Sequence, residues 1–219
     1  IRGMVRRLKD KGNHIITSAF EHPAVLDVCR HLETEDFETT YLPVSAEGLV
    51  NTADVEKAIR PTTILITVMH ANNEVGTLQP IAAIGRIARR HGIPLHTDAA
   101  QSVGKVPVDV AALGVDLLSV AGHKLYAPKG VGALYVHSSL VIEKFCHGAG
   151  QETGRRAGTE NVLEIVGLGT ACEIAREGLE EHLQWMKQLR DRLYAGLTNA
   201  IPATRLNGHP EKRLPNTLS

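Results

Sequence analysis

The chain has 219 residues, with 24 Lys and Arg against 24 Asp and Glu, a formal net charge of zero and 43% hydrophobic residues. That length accommodates one large domain, or one domain and part of another, with a real core. The balanced charge gives no electrostatic reason to expect a nucleic acid or an anionic membrane as partner, so a small-molecule substrate fits better. Three cysteines, Cys29, Cys146 and Cys172, lack C-x-x-C spacing, which argues against a disulfide scaffold or a zinc site and for a reducing compartment. No stretch approaches the roughly 18 uninterrupted apolar residues of a membrane helix.

Helix and strand patterns alternate along the chain, each strand a short apolar run ending in polar residues. This is the signature of an α/β fold with a mostly parallel sheet and helices on both faces. The first strand is His14 to Ser18, and Pro23 then starts a helix with His22 as N-cap and Val25, Val28 and Leu32 on one face. A strand around Thr39 to Pro43 follows, then a helix capped near Asn51 with Asp54 three residues on, then a strong β-run from Thr63 to Met69. After the polar stretch His70 to Glu74, a helix from Pro80 through Ile81, Ile84 and Ile87 is closed by Gly92. Ile93 to Thr97 runs into Asp98, Val115 to Val120 runs into Gly122-His123-Lys124, and Gly132 to Val136 returns as one more strand. From Asn161 to about Leu197 the pattern is helical, its last part a long helix with Leu179, Leu183, Met186, Leu193 and Leu197 at helical steps. The resulting expectation is a large domain over 1–175, incomplete at its start, a connecting helix over 176–198, and the beginning of a small α/β C-terminal domain over 199–219.

In open α/β sheets, ligands bind beyond the carboxyl ends of the strands, where helix N-termini also point. Four strand exits carry polar groups here: His22, then Asn72 and Asn73, then Asp98 with Gln101, then His123 and Lys124. Taken singly, His22 is a helix cap, Asp98 an N-cap of the following turn and Lys124 a solvated lysine. Taken together they are the parts that pyridoxal 5′-phosphate requires. A lysine forms a Schiff base and is made nucleophilic by desolvation; a carboxylate keeps the pyridine nitrogen protonated. Lys124 and Asp98 suit those roles, His22 suits stacking on the ring, Gln101 and Asn73 suit its phenolic oxygen, and His123 and Thr159 are available for the phosphate.

The segments Glu21-His22-Pro23-Ala24-Val25, Asn72-Asn73-Glu74-Val75-Gly76, His96-Thr97-Asp98-Ala99-Ala100-Gln101-Ser102-Val103-Gly104-Lys105 and Gly122-His123-Lys124-Leu125-Tyr126 resemble the NifS-like cysteine desulfurases. These belong to the class V aminotransferase group of pyridoxal-phosphate fold type I, together with selenocysteine lyase. Gly158-Thr159-Glu160-Asn161 and Leu214-Pro215-Asn216-Thr217-Leu218 extend the resemblance over essentially the whole chain. It implies that Lys124 is the Schiff-base lysine, Asp98 the partner of the pyridine nitrogen, and His22 a stacking group that also moves protons. Asn73 and Gln101 would meet the ring oxygen and His123 the phosphate, while Thr159 would reach the phosphate of a partner subunit in a homodimer. The implied activity converts L-cysteine to L-alanine, placing the sulfur on an enzyme thiol and then on a sulfur-acceptor protein, in the cytoplasm or, in a eukaryote, the mitochondrion.

Three departures accompany the resemblance. Family members often carry Ser three residues before the lysine, where this chain has Ala121, so a hydrogen bond to a charged phosphate of about 1.5–3 kcal/mol is absent or replaced. Selenocysteine lyases lack that Ser too, which keeps L-selenocysteine as an alternative substrate. Gln151-Glu152 is followed by Thr153 instead of Arg, with Arg155 and Arg156 nearby. The family's nucleophilic thiol loop and substrate-binding Arg are expected beyond Ser219, and an Ala-Thr-Glu phosphate loop before Ile1, so a chain lacking both ends is expected to be inactive alone. Cys29 and Cys172 read as core thiols, and Cys146 lies beside the Gly-rich loop. More distant alternatives are a class V aminotransferase and an inactive fragment.

Overall fold

In the computed structural model, which describes residues 1–219, the chain runs α1 (Arg2–Leu8), β1 (His14–Ser18), α2 (Pro23–Glu33), β2 (Glu38–Leu42), α3 (Thr52–Ala58), β3 (Thr63–Thr67), α4 (Ile81–His91), β4 (Leu95–Asp98), α5 (Val110–Leu113) and β5 (Leu117–Ala121). A 3-10 turn at Gly122–Leu125 leads to β6 (Gly132–Val136), then come α6 (Gln151–Gly154), α7 (Val162–Glu177) and α8 (Leu179–Ala200). The strands form one sheet in the order β2-β1-β3-β4-β5-β6, parallel throughout except for the antiparallel β5–β6 pair. The chain order reverses at β1, which lies between β2 and β3, so the crevice beyond the carboxyl ends of β1 and β3 is the position where such sheets bind ligands.

The β-branched runs of β1 and β3 are buried along their whole length, as a parallel strand covered on both faces requires. Alternation sends Ile16 and Ile66 to one face, against Val55 of α3 and Ile81, Ile84 and Ile87 of α4. It sends Ile15 and Leu65 to the other, against Met4 and Val5 of α1 and Val25, Cys29 and Leu32 of α2. His14 is buried without cost to hydrogen bonding, because its two ring nitrogens lie 2.8 Å from Thr63 Oγ1 of β3 and 2.8 Å from Thr40 Oγ1 of β2. A third, small cluster joins Leu168 of α7 to Leu125 and Ala127 beside the 3-10 turn.

The expected helix ends hold. Asn51 Oδ1 accepts from Ala53 N–H, His22 Nδ1 accepts from Ala24 N–H, and Gly92 closes α4 at φ 65°. The run from Thr63 to Met69 is regular strand only as far as Thr67. Val68 N–H still reaches His96 O, but Met69 N–H turns away to the Glu21 carboxylate, and the ladder stops. The helical stretch after Asn161 is two helices that share Gly178 as their boundary. α1 and α5 do not emerge from the periodicity, being only 7 and 4 residues long. Cys29 is buried as expected, but Cys172 is exposed. The expectation for Cys172 fails because α7 touches the rest of the chain along one narrow seam and buries only Leu168.

Beyond α8 the chain returns to the sheet. Leu214 is fully buried, its N–H donates to Gly76 O, Leu78 N–H donates to Lys212 O, and Arg213 donates to Val75 O and Thr217 O. This segment thus braces the loop that carries Asn72 and Asn73. No helix is long and apolar enough to cross a membrane.

Candidate active site

The carboxyl ends of β1, β3, β4 and β5 open on one cavity of about 1240 Å³, larger than the ~300–1,000 Å³ usual for a single small ligand and so roomy enough for a cofactor and a substrate. Its wall includes His22, Asn73, Asp98, Gln101, His123 and Lys124. Six of the seven side chains expected to hold pyridoxal phosphate therefore meet, although they span 103 positions of sequence from His22 to Lys124. Thr159, the seventh, is exposed and lies outside that wall.

Each position has a local cause. His22 follows β1 and caps α2; because its Nδ1 accepts the Ala24 amide at 3.1 Å, the neutral ring carries its proton on Nε2. Asp98 ends β4, where its Oδ1 accepts from Ala100 N–H at 2.9 Å and its carbonyl accepts from His70 N–H, leaving Oδ2 without a partner in the chain. Asn72 is the structural member of the pair that begins the loop after β3. It is buried, donates to Phe20 O and accepts from the Glu74 and Val75 amides, which leaves Asn73 as the member at the cavity. His123 and Lys124 are carried on the 3-10 turn directly after β5, held by the Ala127 amide donating to Gly122 O. Gly122 is required there, since a Cβ would stand 2.7 Å from Val131 O. Lys124 is exposed, so the desolvation that would make its amine nucleophilic must come from whatever fills the cavity.

Three further polar groups underlie the site and were not assigned roles from the sequence. Glu21 is buried between the ends of β1 and β3, 2.6 Å from Ser18 Oγ, and accepts from Met69 N–H with both oxygens at 2.9 and 3.0 Å. Burial, then the nearby Asp98 carboxylate, push its pKa up to about 7 against its two hydrogen-bonding partners. His96 lies two residues before Asp98, on the same strand face, between Thr67 Oγ1 at 2.8 Å and Ser119 Oγ at 2.9 Å. Burial lowers its pKa to about 3, so it stands in the wall as a neutral ring. His70 is paired with Ser102 Oγ at 2.9 Å, and burial lowers its pKa to about 4. The period-2 spacing of His96 and Asp98 was a readable signal for the second group; nothing in the sequence marked Glu21 as buried. The donor set fits an anionic, ring-bearing aldehyde: an amine for the carbonyl, a free carboxylate oxygen for a protonated ring nitrogen, amides for a ring oxygen and the His123 imidazole on its turn for a phosphate. No cysteine lines the cavity.

Comparisons with known proteins bear on the family and the fold. A profile described as Aminotransferase class-V matches residues 1–219. A protein of Methanosarcina thermophila named cysteine desulfurase IscS is 52% identical over 219 residues, which are 100% of this chain and 54% of that protein. A solved structure titled NifS-like protein superposes with a TM-score of 0.94 at 39% identity, covering 99% of this chain and 59% of its own. Another, titled SspA in complex with cysteine, gives a TM-score of 0.74 at 50% identity over 78% of this chain and 50% of its own. The chain thus spans about half the length of the curated relatives it matches.

Proposed function

The chain belongs to the class V aminotransferase family, and from that premise we propose that the protein is a pyridoxal-phosphate-dependent cysteine desulfurase, moving the sulfur of L-cysteine to an enzyme thiol and releasing L-alanine. The observation that carries the reading is the convergence of Lys124, Asp98, His22, Asn73, Gln101 and His123 from four strand ends on one cavity. Relatives named cysteine desulfurase at about half identity, and a structural neighbour titled as a complex with cysteine, support the choice of substrate.

When bound, the cofactor supplies an electron sink for the bond-breaking at the substrate's α-carbon. Lys124 would hold its aldehyde and, as a free amine once substrate is bound, would take the α-proton. Asp98, through its free Oδ2, would pair with the ring nitrogen and keep that nitrogen protonated. Asn73 and Gln101 meet the ring oxygen, and His123 meets the phosphate. His22, with its proton on Nε2, would face the ring and return a proton to the substrate once the sulfur has left. The sulfur-accepting thiol comes from outside the cavity wall, since Cys29, Cys146 and Cys172 are not part of it. Thr159 serves the phosphate of a second subunit. The apolar face that α7 leaves uncovered, with Val162, Leu163 and Val166 exposed, supports such a homodimer.

Selenocysteine lyase is the second reading, favoured by one observation: Ala121, at the end of β5 in the cavity wall, offers no hydroxyl. The deciding experiment adds pyridoxal phosphate to the intact protein and to Lys124→Ala, then supplies each amino acid. The reading expects a visible band that survives dialysis, is lost in the variant, and accompanies faster alanine release from L-cysteine than from L-selenocysteine. A band with no alanine release from either amino acid would end it.

A further inference from the structure

Lys105 closes the same sequence segment that supplies Asp98 and Gln101, and the proposed reaction gives it no task. It is also well removed from an ordinary surface lysine. Its Nζ lies 3.1 Å from Gln101 O and 3.1 Å from Gln101 Oε1, so a single ammonium grips both the backbone and the side chain of the residue four positions earlier. Burial lowers its pKa, and the neighbouring Lys124 ammonium adds to that effect. The turn around it is held independently: Ser102 and Val103 N–H donate to Ala99 O, Lys105 and Val106 N–H donate to Ser102 O, and Ser102 Oγ pairs with His70. Lys105 is therefore not needed to form the turn, and what remains for it to control is the Gln101 side chain.

The control is chemical as well as steric. An amide presents an acceptor on one side and a donor on the other, and the two are close in shape. Lysine has only donors, so the group facing Nζ has to be Oε1, and Nε2 is the group left free. Gln101 Nε2 has no partner within the chain, and Gln101 lines the cavity. A glutamine released from Lys105 could turn either face to a ligand, and half of its orientations would set oxygen against oxygen.

We propose that Lys105 is a positioning residue of this site: by holding Gln101 Oε1 it fixes the Gln101 amide as a hydrogen-bond donor into the cavity, which selects a ligand with an anionic oxygen at that point. This rests on the cofactor reading above, in which that oxygen is the ring oxygen of pyridoxal phosphate. A fixed donor beside an anionic ring oxygen stabilises the less protonated form of the bound cofactor, so losing it raises the pH at which the visible band titrates.

The test uses the full-length protein, with Lys105→Met, Lys105→Arg and the same Lys105→Met change in a Gln101→Leu background. In the cofactor-free protein, the 15N-labelled Gln101 side-chain amide should give a distinct, ordered pair of signals that collapses toward the averaged position in Lys105→Met and persists in Lys105→Arg. With pyridoxal phosphate bound, the pH midpoint of the visible band should rise by about one unit in Lys105→Met, the scale on which one hydrogen bond to a charged group acts. It should stay near the wild-type value in Lys105→Arg, and the rise should largely vanish in the Gln101→Leu background. An equal rise in both backgrounds would show that Lys105 acts as a bare charge and overturn the inference. Absence of any band in the wild-type protein would refute the cofactor reading itself, and the amide signals would then decide alone: Gln101 signals unmoved by Lys105→Met overturn the positioning role.

Discussion

β3 and β6 are five-residue apolar strands of one sheet, yet every residue of β3 is buried and the first three of β6 are exposed. The helices repeat the contrast, for α4 buries Ile81, Ile84, Gly85, Ile87 and Ala88, whereas the longer α7 buries only Leu168. Apolar composition states that a segment gains free energy from cover; it does not say what provides the cover. In the half built from β1 to β4, helices supplied by this chain cover both faces. In the half around β6, α7 and α8 they do not, and the candidate active site lies across the boundary, with Asp98 on the covered side and Lys124 on the open one.

The largest effects should expose this asymmetry. Ile66→Ala, in the closed core, should cost about 3–4 kcal/mol in urea unfolding, by lost burial and the cavity left behind. Leu163→Ala, at 85% exposure in the single chain, should stay within about 0.5 kcal/mol at protein concentrations that keep the chain monomeric. At higher concentration, where the proposed homodimer covers this face, the cost should grow, and a cost that is large and independent of concentration would break the comparison. Two glycines sharpen it further. A Cβ at Gly85 would stand 2.6 Å from Leu113 O and 2.9 Å from Gly114 O, so Gly85→Ala should destabilise by about 1–3 kcal/mol. At Gly169 in α7 a Cβ meets nothing within 4 Å, and Gly169→Ala should stabilise by about 0.5–1 kcal/mol through helix propensity.

The closed half should also carry the pH dependence. The unfolded chain protonates His70 and His96 near 6.5, while in the folded protein they resist to about 4 and about 3. Their contribution to stability is whole above pH 6.5 and is lost as pH falls toward those values. Glu21 acts in the opposite sense: its pKa is raised from 4.5 to about 7, so its contribution is whole below pH 4.5 and is lost as pH rises through 7. Two histidines outweigh one carboxyl between 4.5 and 6.5, so the melting temperature should rise with pH across that window. Glu21→Gln should make the rise steeper, and a flatter profile in that variant would show that Glu21 is ionised throughout. The smallest effects belong to the surface. Asn51→Ala, which removes the cap on α3, should cost about 1 kcal/mol, and Asp27→Ala, which breaks the exposed pair with Arg30, about 0.3 kcal/mol, both read from chemical unfolding.

Much of this was legible in the residues. Six strands and the major helices follow from apolar periodicity, and His22, Asn51 and Gly92 mark helix ends by chemistry that acts within a few positions. The resemblance to NifS-like enzymes named the residues that line the cavity. What failed were statements about cover and about long-range partners. Cys172 reads as a core thiol on an amphipathic helix, and only the narrow seam of α7 leaves it exposed. The β-run to Met69 reads as strand until Glu21, 48 positions earlier, takes the Met69 amide. The grip of Lys105 on Gln101 spans just four positions, yet it emerges only once the turn between them is folded.

The sequence by itself determined the local elements, their ends and the chemical inventory of the site, because these depend on backbone preferences and on side chains within one or two turns of each other. Tertiary structure alone decided that the inventory converges. The parallel order β1-β3-β4-β5 brings four strand ends to one edge, and close packing beneath them buries Glu21, His70 and His96, shifting their protonation through a loss of water that no local pattern records.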